Sequence, residues 1–250
     1  MKLLSSARGC LVWGLAGLLA ACASAPPTMP PSVADSHAAY GAALADAAVA
    51  SPAKVQPLRA LPAGERVTMV SWVTAQLAPC AKDALPCAMQ VGADRLWVTL
   101  AGEVQAVCQS WGLKGDALRS RIEQLLGLPT NSPVQYRKTQ FVLLEVARTQ
   151  VERPCLGVTE NAAGQPVCTI DLQASTAPEM QHFVGQQMAA AYVMDNPKGP
   201  GYPYTRLGYT YDWAADAKPG HYGASEFVVA PGSTAKAVRI MATDDYCQPP

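Results

Sequence analysis

An α+β fold class is what this sequence predicts: a single globular domain over residues 61–250, with a mainly antiparallel sheet and about three helices, stapled by disulfides and following a flexible N-terminal tether. Three observations lead there. Runs rich in β-branched and aromatic residues are interspersed with amphipathic helical runs, without the regular strand–helix–strand order that builds a parallel sheet. The region contains an even number of cysteines. Upstream of it the composition turns to Ala, Pro and Ser.

Residues 67–73 (VTMVSWV) and 95–100 (RLWVTL) read as strands, because branched and aromatic side chains fit a pleated surface. Two helices follow, near 103–111 and 116–126. In the second, Asp116 is placed to cap the N-terminus, Leu118, Ile122, Leu125 and Leu126 share a face, and Gly127 with Pro129 stops the chain. A strand is expected at 141–148 (FVLLEVAR) and a shorter one at 167–172. The strongest helical pattern covers 177–194. Thr176 and Glu179 form a capping box, Pro178 suits the first turn, and Met180, Phe183, Val184, Met188 and Ala191 line one side before Asn196-Pro197. Two last strands, 225–230 and 236–242, flank a Pro-Gly turn. A domain of this length can bury about 70% of the surface its unfolded chain exposes, so it needs no special help to fold.

Residues 1–21 have the layout of an export signal peptide. Lys2 and Arg8 make a short positive segment, and 11–21 (LVWGLAGLLAA) is an uncharged run too short for a permanent membrane span. It closes with Leu19-Ala20-Ala21-Cys22, which resembles the lipobox of bacterial lipoproteins. The resemblance covers the first 22 residues and implies removal of the leader, a diacylglycerol on the Cys22 thiol and an acylated new N-terminus. Each buried CH₂ contributes about 0.8 kcal/mol, and several chains hold firmly where one holds marginally. The implied partner is therefore a membrane, reached through the lipid anchor. Ala23, in place of an Asp, favours the outer membrane of the cell envelope, with either face open. The competing layout is an ordinary cleaved signal that leaves Cys22 unmodified.

Residues 22–60 read as an Ala/Pro-rich tether. ASAPPTMPPSVADS lacks an apolar period, and 37–50 (HAAYGAALADAAVA) reads as a marginal helix at best, since its large apolar side chains are nearly absent. As a flexible chain, 23–60 would reach on the order of 30 Å. Lys plus Arg and Asp plus Glu are both 19, and the leader carries two bases and no acid, so the processed chain has 17 against 19. No basic run exists to neutralise phosphates, which excludes nucleic acid as a partner.

Cys10 leaves with the leader and Cys22 takes the lipid, so six cysteines remain: Cys80, Cys87, Cys108, Cys155, Cys168 and Cys247. In an oxidising compartment they imply disulfides, with fifteen possible pairings. Local closure suggests Cys80 with Cys87 and Cys155 with Cys168, leaving Cys108 for Cys247. Structural zinc would want two tighter pairs, so no metal and no other cofactor is expected.

Residues 199–227 concentrate the aromatic residues: Tyr202, Tyr204, Arg206, Tyr209, Tyr211, Trp213 and Tyr222 form a candidate binding surface for a protein or a sugar. In a domain with few Phe the same rings can instead be core. The segment also holds a candidate acid–base set of His221, Asp212, Ser225 and Glu226. No G-x-S-x-G, Walker loop, HExxH or EF-hand pattern accompanies it. The leading expectation is a non-catalytic envelope lipoprotein that binds a protein or cell-wall component such as peptidoglycan. The alternatives are a hydrolase of an envelope polymer using His221, Asp212 and Glu226, and an inhibitor or immunity-type lipoprotein.

Overall fold

The computed structural model describes residues 33–130, 132–172, 177–195 and 199–249. The leader, Cys22, Thr176 of the expected capping box and Asn196-Pro197 lie outside these residues. In chain order the elements are α1 (Val33–Ala48), β1 (Arg66–Val73), β2 (Cys87–Gln90), β3 (Leu96–Leu100), α2 (Ala101–Trp111), α3 (Gly115–Leu125), β4 (Gln140–Ala147), β5 (Val151–Glu152), β6 (Val158–Glu160), β7 (Pro166–Cys168), α4 (Pro178–Ala191), β8 (Tyr209–Tyr211), β9 (Tyr222–Ser225), β10 (Phe227–Val229), β11 (Thr234–Ala242) and α5 (Thr243–Cys247).

Seven strands make the main sheet in the order β2-β11-β4-β1-β3-β10-β5, and every neighbouring pair is antiparallel. The α+β class and the mainly antiparallel sheet are thus as expected. Both faces of the central strands are buried, and their alternation divides the core in two. On one face Val67 and Met69 of β1 join Val142, Leu144 and Val146 of β4 and Phe227 and Val229 of β10. On the other, Val70 and Trp72 meet Phe141 and are covered by Val104 of α2, Leu118, Ile122 and Leu125 of α3, and Tyr246 of α5. The register places Trp72 opposite Phe141, whose rings stack 5.7 Å apart.

All six cysteines pair as local closure suggests: Cys80–Cys87, Cys155–Cys168 and Cys108–Cys247. The last closes a loop of 139 residues and ties the C-terminal helix to α2. Such a link removes about 4–5 kcal/mol of freedom from the unfolded chain in the entropy picture.

Three expectations need correction. Asp116 does not cap α3: the helix begins one residue earlier, at Gly115, whose amide donates to Asp244 Oδ1 at 2.8 Å, while Asp116 pairs with Arg119. Helix α4 starts at Pro178 and ends at Ala191, short of residue 194. The largest correction concerns the tether, which is part of the fold over residues 33–60. Helix α1 buries Tyr40, Ala43, Leu44 and Ala47, spaced i, i+3, i+4, i+7, against Tyr211 and Trp213. Its alanines let the helix approach closely, and Tyr40 and Leu44 supply the large anchors, Tyr40 donating to Gly201 O at 2.8 Å and meeting Trp213 edge-on at 5.3 Å. Beyond α1, Lys54 Nζ binds the Asp46 and Val49 carbonyls near the helix end. Residues 57 and 58 then extend the β6–β7 hairpin, with Pro57 bridging Val167 and the Leu58 amide donating to Pro166 O at 2.7 Å.

Among the described residues no helix is long and apolar enough to cross a membrane.

Candidate functional site

The 199–227 segment is mostly interior. Tyr204, Tyr209, Tyr211, Trp213 and Arg206 are buried, whereas Tyr202 and Tyr222 are half-buried. An exposed aromatic platform built from all seven residues is therefore corrected. With only three Phe in the chain, Tyr and Trp fill the core, and each polar tip finds an acceptor. Tyr204 donates to Pro154 O at 2.5 Å, Tyr209 to Lys54 O at 2.9 Å, Tyr211 to Asp46 Oδ2 at 3.0 Å, and Trp213 Nε1 to Leu128 O at 3.0 Å. Arg206, at a positive φ of 61°, donates to Ala48 O at 2.9 Å.

The acid–base candidates do not assemble either. Both carboxylate oxygens of Asp212 accept from Arg121, at 2.9 and 2.8 Å, and that guanidinium also lies over the Trp111 ring. His221 meets only the backbone of Asp212, its Nδ1 lying 2.7 Å from the Asp212 carbonyl, and its ring stacks on Tyr211. Ser225 Oγ donates to Glu103 Oε1 at 3.2 Å. Glu226 is wholly interior, and burial pushes its carboxyl up to about 8, with Arg153 offsetting part of the effect. A second interior carboxyl, Glu123 of α3, is pushed to about 7 by burial against the opposing pull of Arg119 and Arg137.

What the structure does bring together is a polar groove of about 190 Å³ over the β8–β9 ribbon, lined by Gln56, Leu58, Arg59, Glu103, Tyr222 and Ser225. Residues 56–59 form one wall. Gln56 Nε2 donates to the Tyr222 hydroxyl at 2.7 Å, and the Tyr222 ring leans edge-on against Tyr209 at 5.0 Å. Glu103, in the first turn of α2, forms the other wall. Its Oε1 receives Ser225 and lies 3.7 Å from Arg59 Nε, while its Oε2 has no hydrogen-bond partner among the described residues. Arg59 is largely exposed.

Arg153 ties the groove together from below. Its guanidinium lies 3.6 Å over the Phe227 ring, donates to Gly208 O at 2.8 Å and Glu226 O at 3.1 Å, and reaches Arg59 O. Burial lowers it to about 10, and Glu103 and Glu226 pull it back up. It remains a cation at neutral pH. Gly208 is required where the wall crosses the ribbon: at φ +80°, any Cβ would lie 2.6 Å from Leu58 Cδ2.

A larger cleft of about 260 Å³ between α1 and the 129–130 turn is lined by Ser36, His37, Tyr40, Pro129, Thr130 and Met194, with no carboxylate, Lys or Arg among the described residues that line it. The smaller groove has the richer chemistry: a buried carboxylate oxygen without a partner among the described residues, the hydroxyl residues Tyr209, Tyr222 and Ser225, an amide, an exposed guanidinium and a half-exposed ring. Of the residues expected from sequence, only Tyr209, Tyr222 and Ser225 line it. Gln56 and Arg59 were hidden in what reads as tether. Glu103 reads as an ordinary acid in a helix's first turn, where it would merely complement the dipole. Compared with known protein families, curated proteins and solved structures, the chain has no match.

Proposed function

We propose that the chain is an exported, lipid-anchored protein of the outer membrane whose folded domain is non-catalytic and binds a cell-wall component in the groove between residues 56–59 and β9. The observation that carries the reading is the state of the thiols. If Cys10 leaves with the leader and Cys22 takes lipid, every remaining cysteine is already in a disulfide, the condition an oxidising compartment sustains. Binding in the groove is supported by its mixture of donors and acceptors beside the Tyr222 ring, a set suited to the hydroxyls and amides of peptidoglycan. Binding is favoured over hydrolysis because the three expected acid–base groups stand outside the groove lining, Asp212 paired with Arg121, His221 against the Asp212 carbonyl and the Tyr211 ring, and Glu226 in the interior, which leaves Ser225 in the groove with no histidine among the described residues that line it.

Two measurements test this. Metabolic fatty-acid labelling should be lost in Cys22→Ser; retained label defeats the anchor. Purified peptidoglycan sacculi should sediment the processed protein, and Glu103→Gln combined with Tyr222→Ala should weaken capture by about tenfold, near 1.4 kcal/mol, with the fold retained. Undiminished capture of that folded variant removes the groove from the proposal.

A further inference from the structure

We infer that the end of the sheet bearing Leu77, Val134 and Tyr136 is a lipid-contacting tip, seated on the surface of the bilayer that holds Cys22; this rests on the anchor reading above. Val134, Leu77 and Tyr136 are the three most exposed large apolar side chains among the described residues, at 74%, 68% and 67%. They are gathered rather than scattered. Val73 pairs with Gln140 across β1 and β4, and the Thr139 amide donates to Val73 O at 2.9 Å. The 3-10 turn Ala75–Leu77, leaving β1, and the 3-10 turn Val134–Tyr136, leading into β4, therefore project from the same sheet end.

Both turns satisfy backbone groups locally, with Leu77 N donating to Thr74 O at 3.1 Å and Tyr136 N to Pro133 O at 2.8 Å. Little unpaired backbone has to be desolvated when such turns meet lipid. Tyr136 has the amphipathic ring that settles at the headgroup boundary, flanked here by two aliphatic side chains.

The path of the chain identifies the occupant. The first described side chains of α1, Ser36 and His37, share a cleft with Pro129 and Thr130, and Thr130 stands four residues before Val134, where the turn bearing the tip begins. Helix α1 thus begins against the segment that leads into the tip. Ten residues, 23 to 32, separate Cys22 from α1, and the stretch from Cys22 to Val33 spans at most about 40 Å when fully extended. A leash that short holds the tip near the bilayer at a high effective concentration, so weak apolar contact suffices to seat it.

The test uses the processed chain, beginning at Cys22, with its thiol coupled to a maleimide-bearing lipid in phosphatidylethanolamine/phosphatidylglycerol vesicles. This supplies the leash whether or not a cell acylates Cys22, so failed fatty-acid labelling leaves the result readable. Amide hydrogen exchange over residues 74–78 and 133–138 is expected to slow severalfold on coupling, with the 158–166 hairpin unchanged. A Leu77→Ser, Val134→Ser, Tyr136→Ser variant, altered only at exposed positions, should lose that protection and keep its melting temperature. Equal exchange in coupled and free protein overturns the proposal. So does protection that grows with protein density on the vesicle, which would assign the tip to a second copy of the chain.

Discussion

Residues 33–60 and 199–227 have opposite compositions and reach the same place. The first is rich in Ala, 11 of its 28 residues, with two Pro; the second holds five Tyr and a Trp. Taken alone, one looks too poor in apolar bulk to fold and the other too rich to stay covered. They complete each other: α1 offers a shallow surface of Ala43 and Ala47 with Tyr40 and Leu44, and Tyr211 and Trp213 fill it. Lower down, Val55 and Leu58 pack with Leu207 and Tyr209 around the Cys155–Cys168 disulfide. Burial is a property of a pair of surfaces, so neither segment's composition predicts its own exposure.

Removing the larger partner should cost most. Trp213→Ala deletes a ring enclosed by α1 and the Leu128 carbonyl, with an expected loss of about 3–5 kcal/mol in urea unfolding. Leu44→Ala, from the other side of the same contact, should cost about 2–4 kcal/mol. If α1 were a loose tether, Leu44→Ala would leave the midpoint unchanged. The two substitutions share one cavity, so together they should cost less than their sum.

Gly208→Ala probes the lower contact. A left-handed φ and the close approach of Leu58 should cost about 2–3 kcal/mol and speed proteolysis between residues 49 and 60; a neutral effect would separate the groove wall from the ribbon.

A pH-dependent effect concerns the interior acid between β9 and β10. Glu226 titrates near 8 in the folded protein and near 4.5 when unfolded. Between those values the folded state keeps a proton the unfolded chain has lost, so stability falls as pH rises through that window. Glu226→Gln should remove that slope, so the variant gains on the parent protein at pH 8 and almost nothing at pH 4, read as the difference between their unfolding midpoints at the two pH values. An unaltered pH profile would mean that the carboxyl is solvated.

The parts legible from sequence are those with strong local periodicity. Strands β1, β3, β4 and β11 and helices α2, α3 and α4 follow runs whose side chains repeat every two or every three to four residues, and a large buried face imposes that repeat. Strands β2, β5 and β6 are too short to show one. The groove was mostly illegible for a different reason. Its walls come from residues 56–59, from Glu103 and from 222–225, so no spacing within any one segment reveals them.

Cysteine spacing narrowed the disulfides and alternation specified the α+β class, because each of these is local or additive along the chain. Which aromatic rings are covered, what the Ala-rich helix does and where Glu103 finds Ser225 were decided only in three dimensions. Each depends on surfaces far apart in sequence, and their complementarity comes into being only when the chain closes on itself.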